Sequence, residues 1–187
     1  AFPAGEDAHR PLRAEWLALA PTVDAARRLD DPSLGVVSHA SAAEIHGIGD
    51  LLADVPEFTL PGRKQSRRMV RLHRSTLGPD DVTVRFGLPV TTIERTIADL
   101  FKGGHDTSHV ADAVRDATNS GKLDLEALAT ALDPIAARAG FRSGEALSDD
   151  LLSLAHPDAL TSGDNLIETS IARQLFASGA LEGLRLA

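Results

Sequence analysis

Twice in this chain a short apolar run ends in a hydroxyl-bearing residue and passes straight into a helical pattern. Gly35-Val36-Val37 leads into Ser38-His39-Ala40-Ser41-Ala42-Ala43-Glu44-Ile45-His46-Gly47, and Leu88-Pro89-Val90 leads into Thr91-Thr92-Ile93-Glu94. Each transition holds a capping box, Ser41-x-x-Glu44 and Thr91-x-x-Glu94. In such a box the hydroxyl accepts from a first-turn N–H and the carboxylate reaches back to the cap. A chain that must bury a strand and at once start a helix, two times over, is confined to folds that layer helices on a sheet.

The remaining pattern agrees. Leu12, Trp16 and Leu19 share one face of a helix that Pro21 breaks, and a short second helix covers 23–29. Between the two boxes, apolar and polar residues alternate around Phe58 and Leu60, around Val70 and Leu72, and through Val82, Val84 and Phe86. Three strands follow from that alternation, with Gly78-Pro79-Asp80-Asp81 turning between the second and third. Arg71, His73, Thr83 and Arg85 are expected to share the open face. After Thr91, Ile93, Ile97, Leu100 and Phe101 form a helical stripe, with Thr92, Arg95, Thr96 and Asp99 on the other side. Asp106, Asp124 and Ser143 then cap three more helices, the last with Leu147, Leu151 and Leu154, and a final helix is expected from about Asp164. The expected fold is α+β: a small antiparallel sheet packed with helices, then a helical C-terminal half. Three segments are expected, namely 1–30, 31–155 and a C-terminal extension over 156–187.

Absent residues narrow the chemistry. With no cysteine among 187 residues, disulfides, thiolate nucleophiles and Cys-ligated metals are excluded. No stretch has the apolar length of a membrane helix and no signal-peptide pattern opens the chain, so no membrane partner and a cytoplasmic location are expected. The net charge of −8 argues against diffuse nucleic-acid binding. That charge is segregated, however. Residues 1–60 carry −6, 61–100 carry +4 and 101–187 carry −6. Arg63, Lys64, Arg67, Arg68, Arg71 and Arg74 supply most of the central excess, and Arg85 adds to it. Such a stripe can hold an anionic partner at close range, or simply keep a sheet edge from pairing. Tyr is absent and no aromatic residue interleaves with the arginines, so base stacking is not the mode.

No enzyme motif is present: no phosphate-binding G-x-x-x-x-G-K-[ST] loop, no dinucleotide fingerprint, no nucleophile elbow. No cofactor is expected. His105 and His109 have the i, i+4 spacing of a zinc helix, but Asp106 stands where H-E-x-x-H needs Glu and no third ligand is evident, so no metal is expected either. Ser38-His39 invites a nucleophile–base reading, yet neighbours on a strand point to opposite faces. The two helix starts read as caps worth ~1 kcal/mol each or as anion-ready N-termini. Arg95 and Asp99 form either a surface i, i+4 pair or one wall of a polar groove beside Arg71 and Arg85.

These same residues carry a family likeness. Val36-Val37-Ser38-His39-x-Ser41-Ala42-Ala43-x-x-His46-Gly47 resembles the first block of AbiEi-type antitoxins, from abortive-infection type IV toxin–antitoxin systems. Leu88-Pro89-Val90-Thr91-Thr92-x-Glu94-Arg95-Thr96-x-x-Asp99-Leu100 resembles their second block. The stretch 70–77, with His73 and Arg74, is similar to the segment between them, and the likeness spans roughly residues 8–140. It implies an antitoxin that neutralises a nucleotidyltransferase-like toxin, usually without a stable complex, and often represses its own operon. By the same likeness Ser38, His39, Ser41, His73, Thr91, Thr92, Glu94, Arg95 and Asp99 form the antitoxicity motif. The implied partners are the cognate toxin and operator DNA or RNA. The family's DNA-reading winged helix is largely missing here, Ala1–Gly5 being similar to the end of its wing. Antagonism without sequestration leaves covalent modification of the toxin open, for example by phosphorylation; a separate alternative is a direct toxin complex through the helical C-terminal half.

Overall fold

The computed structural model describes residues 9–157. The expected hinge beyond His156, the final helix from Asp164 and the segment Ala1–Gly5 lie outside the described residues. The first helical pattern becomes α1 (Arg10–Leu19) and α2 (Ala25–Leu29). They are followed by β1 (Val36–Val37), α3 (His39–His46), β2 (Glu57–Leu60), β3 (Arg71–Arg74), β4 (Val82–Arg85) and β5 (Leu88–Thr91). Four helices complete the fold: α4 (Ile93–Lys102), α5 (Thr107–Asn119), α6 (Leu125–Ala136) and α7 (Gly144–Ala155). The architecture is α+β, and no helix among the described residues is long and apolar enough to cross a membrane.

The five strands form one sheet in the order β3-β2-β1-β5-β4. It is mixed rather than purely antiparallel. β1 runs parallel to β5 and β2 parallel to β3, while β1–β2 and β4–β5 are antiparallel. The two strand–helix units thus lie side by side in the centre of the sheet. The strands read as consecutive neighbours are dispersed, with β3 and β4 on opposite edges.

Directly paired residues share a face of a sheet. Val37 pairs with Phe58 and Val90, and Phe58 with Leu72; these residues pack with Trp16 and Leu19 of α1 and Ala42 and Ile45 of α3. Val36, Thr59 and His73 line up on the other face, with Glu57 and Arg71 two residues along their strands. Thr83 and Arg85, opposite Val90 and Leu88, belong to the first face, not to that of Arg71 and His73. The shared open face expected for these four residues is therefore corrected. Three strands, β2, β1 and β5, separate β3 from β4, and the registers put their polar residues on opposite faces.

Asp106, Asp124 and Ser143 cap α5, α6 and α7 as the pattern predicts. Ile97, Leu100, Val114, Leu128, Leu132, Leu147 and Leu151 form a second, larger apolar cluster. Leu154, expected on the α7 stripe, is half exposed; Leu152 and Ala155 are buried instead. Gly144 lies so close to α6 that a Cβ there would collide with the Ala129 carbonyl oxygen.

Trp16 ties α1 to the approach of β1. It is 2% exposed, its indole N–H donates to the Gly35 carbonyl at 2.8 Å, and the Arg28 guanidinium lies 4.3 Å above its ring. Trp16→Phe keeps most of the packing but orphans a buried carbonyl. Urea denaturation should show a loss of about 1–2 kcal/mol.

Candidate functional site

Neither transition is capped as its box predicts. β1 ends at Val37, Ser38 is extended, and His39 adopts φ +53°, a left-handed conformation uncommon outside glycine and asparagine. The chain therefore bends sharply at His39, and α3 begins two residues before Ser41. The bend also overturns the expectation that Ser38 and His39 face apart: His39 Nδ1 lies 3.0 Å from Ser38 Oγ. The strand on which that expectation rested has already ended. Ser38 Oγ also accepts from the Thr59 hydroxyl at 2.8 Å, which links β1 to β2 through side chains.

Ser41 sits inside α3, and its hydroxyl accepts the Glu57 N–H at 3.0 Å. At the second transition Thr92, not Thr91, caps the helix, accepting the Arg95 N–H at 3.3 Å. Thr91 is the last residue of β5 and shares a 2.7 Å hydrogen bond with the Thr96 hydroxyl. Glu94, buried, accepts the Asp124 N–H at 2.9 Å and so fixes the start of α6. In both boxes a backbone donor elsewhere in the fold, that of Glu57 buried and that of Asp124 partly buried, takes a group that local geometry had assigned to the box. An unsatisfied buried N–H costs more than a cap contributes.

Around the bend lies a buried polar cluster. The rings of His39 and His73 stack with centroids 3.5 Å apart and planes within 12°. His73 Nε2 donates to Glu57 Oε2 at 2.6 Å, and Arg71 donates to Glu57 Oε1 at 2.9 Å. Glu57 is only 2% exposed, a depth at which a carboxylate needs such partners. Burial, reinforced electrostatically by the neighbouring His73, His105, Arg95 and Lys102, pushes His39 down to about 3, so its imidazole is neutral at physiological pH.

The other wall is α4. Arg95 donates to Asp99 at 3.0 Å, to Asp81 at 3.1 Å and to Ser75 at 3.0 Å, gathering the loop after β3 onto the helix. Burial raises the Asp99 carboxyl above its ordinary value, and Arg95 opposes the shift. Asp99 Oδ2 is buried and has no hydrogen-bond partner among the described residues.

Ser38, His39, Arg71, His73, Arg95 and Asp99 thus come together, drawn from both blocks and the strand between them. Ser41, Thr91, Thr92 and Glu94 do not join them; each holds backbone or a neighbouring hydroxyl in place. Arg85 stands on the far edge strand, four strand spacings or ~19 Å from β3, and on the other sheet face, so no groove unites it with Arg71. Glu57 and Thr59 were missed by sequence reasoning. A carboxylate opening an otherwise buried strand was the available signal for Glu57; nothing local marked Thr59.

The basic stripe is the ten-residue crossover between the parallel strands β2 and β3, continued into β3. Arg68 pairs with Glu15, and Lys64 donates to the Leu19 carbonyl, so two of its cations fasten the loop to α1. Arg63, Arg67 and Arg74 are exposed and join no ion pair among the described residues.

No family model and no curated protein matches this chain. Fold and site define a class only: an α+β domain whose central strand–helix bend carries buried His39, Glu57 and Asp99 paired with less buried guanidinium groups, together with an exposed basic crossover. The likeness to AbiEi-type antitoxins rests on the residue blocks themselves.

Proposed function

We propose that this chain is the antitoxin of a type IV toxin–antitoxin pair, acting in the cytoplasm on a nucleotidyltransferase-like toxin. The observation that carries the reading is the convergence of Ser38 and His39, His73, and Arg95 and Asp99. These come from the three family-like segments and meet in one cluster. The exposed cations Arg63 and Arg67 on the crossover and Arg74 at the end of β3 offer an anion-binding surface to the toxin, to its RNA or to operator DNA. Covalent modification of the toxin draws only on the Ser38–His39 contact, and the Ser38 hydroxyl is buried, out of reach of a macromolecule. Direct association through α5–α7 has a single exposed large apolar side chain, Leu154, to favour it among the described residues.

Growth rescue tests the reading. The full chain is co-expressed with the nucleotidyltransferase-like product of its own locus. His73→Ala and the triple Arg63→Ala, Arg67→Ala, Arg74→Ala are compared at equal soluble level. Loss of rescue is expected for His73→Ala, and weakened operator retention or rescue for the triple variant. Full rescue and operator binding in both, or a locus without such a gene, overturns the proposal. An unchanged intact mass of active toxin after incubation with the antitoxin and ATP is expected.

A further inference from the structure

His39, Glu57 and His73 each present a ligand atom within 4.8 Å of the other two, at the junction of β1, β2 and β3. We propose that these three side chains bind a divalent transition-metal ion of the zinc class. Two imidazoles and one carboxylate form a donor set that zinc accepts in tetrahedral sites with a fourth position left open. No thiolate is needed, which suits a chain without cysteine.

Three further observations point the same way. Ser38 Oγ occupies His39 Nδ1, leaving Nε2 for a ligand, and a hydroxyl on the distal nitrogen is the kind of support that orients a metal-binding imidazole. Arg71 occupies Glu57 Oε1, which leaves Oε2 as the ligand atom, now 2.6 Å from His73 Nε2. Asp99 lies near enough for its charge to interact with His73, and its buried Oδ2 has no partner among the described residues. A cation placed in this cluster adds positive charge near a carboxylate that Arg95 reaches only through its other oxygen.

The geometry also says what must move. Two ligand atoms on a tetrahedral zinc stand ~3.3 Å apart at the usual metal–ligand lengths. The ion therefore takes the place of the proton between His73 and Glu57, and the pair opens by under an ångström. A bound metal lies in the plane of each ring that holds it, so the His39–His73 stack must break. His73 is the ring able to turn: its side chain is 25% exposed and sits on an edge strand, whereas His39 is held at the bend.

The proposal is independent of the antitoxin reading, because metal uptake is measured on the isolated full chain. After treatment with EDTA, Zn²⁺ is titrated by calorimetry and Co²⁺ by its visible absorption. One ion per chain is expected, with the intense bands of a four-coordinate cobalt site. His73→Ala and Glu57→Gln should each weaken binding at least ~10–100-fold, the range lost even when only a ligand's supporting partner is removed. Far-ultraviolet circular dichroism checks folding, and the near-isosteric Glu57→Gln keeps the test decisive if His73→Ala unfolds. His109→Ala, in the exposed group of Asp50, His109 and Asp112, should leave binding unchanged. Absence of a bound ion, equal affinity in wild type and Glu57→Gln, or loss confined to His109→Ala overturns the proposal.

Discussion

Arg95→Met is expected to destabilise the folded chain by about 3–5 kcal/mol at neutral pH, the usual cost of removing one partner from a buried ion pair. The side chain of Arg95 is 14% exposed and that of Asp99 is 4%, so water does little to screen or replace the interaction. Met retains the apolar stem but removes all three hydrogen bonds, leaving Asp99, Asp81 and Ser75 without their shared donor. The penalty should depend on pH in a definite direction. Burial already raises the Asp99 carboxyl and Arg95 opposes that shift, so without Arg95 the folded-state value rises further. The uncompensated charge is present above that value and disappears as the folded state takes up a proton below it. The gap between variant and wild type should therefore narrow as pH falls from 8 in urea denaturation. Adding Asp99→Asn to Arg95→Met should recover about 1–2 kcal/mol at pH 8. A gap independent of pH, with no recovery in the double variant, would place the cost in packing rather than in charge.

How much of this was legible beforehand depends on the range of the interaction. The strand–helix units at Val36–His46 and Leu88–Lys102 show in the pattern because an apolar run and a helical stripe are local signals. The Arg95–Asp99 spacing was visible for the same reason, though its burial was not. Sheet order was hidden. β2 and β3 look like a hairpin or meander, but a ten-residue crossover joins them in parallel, shorter than such connections usually are. The capping boxes misled because Ser41 and Glu94 serve donors far along the chain, at Glu57 and Asp124. The Ser38–His39 contact was missed because it depends on one left-handed residue that is not glycine. Strain of that kind, at the centre of a polar cluster, is where local rules fail and sites concentrate.

The native state should lose stability steadily as pH falls below about 6.5, more steeply than its carboxylates alone would produce. His39 is held down to about 3 from an ordinary 6.5, chiefly by burial. His46, also buried and donating to the Thr91 carbonyl at 2.7 Å, is shifted in the same direction, its backbone hydrogen bond opposing the shift. In the unfolded chain both rings bind a proton near pH 6.5, whereas in the folded chain they resist it. Between those values the unfolded state holds more protons, so acid favours unfolding. One histidine displaced over that interval accounts for up to ~4–5 kcal/mol by pH 3. His39→Asn isolates its share: asparagine accepts the left-handed backbone, retains a polar group for Ser38 and does not titrate. In EDTA-treated protein, the slope of unfolding free energy against pH between 6 and 4 should fall by up to ~1.4 kcal/mol per pH unit in the variant, with the His46 contribution remaining. Equal slopes in wild type and His39→Asn would mean that His39 protonates in the folded state. The neutral ring on which the stacked cluster is built would then be ruled out.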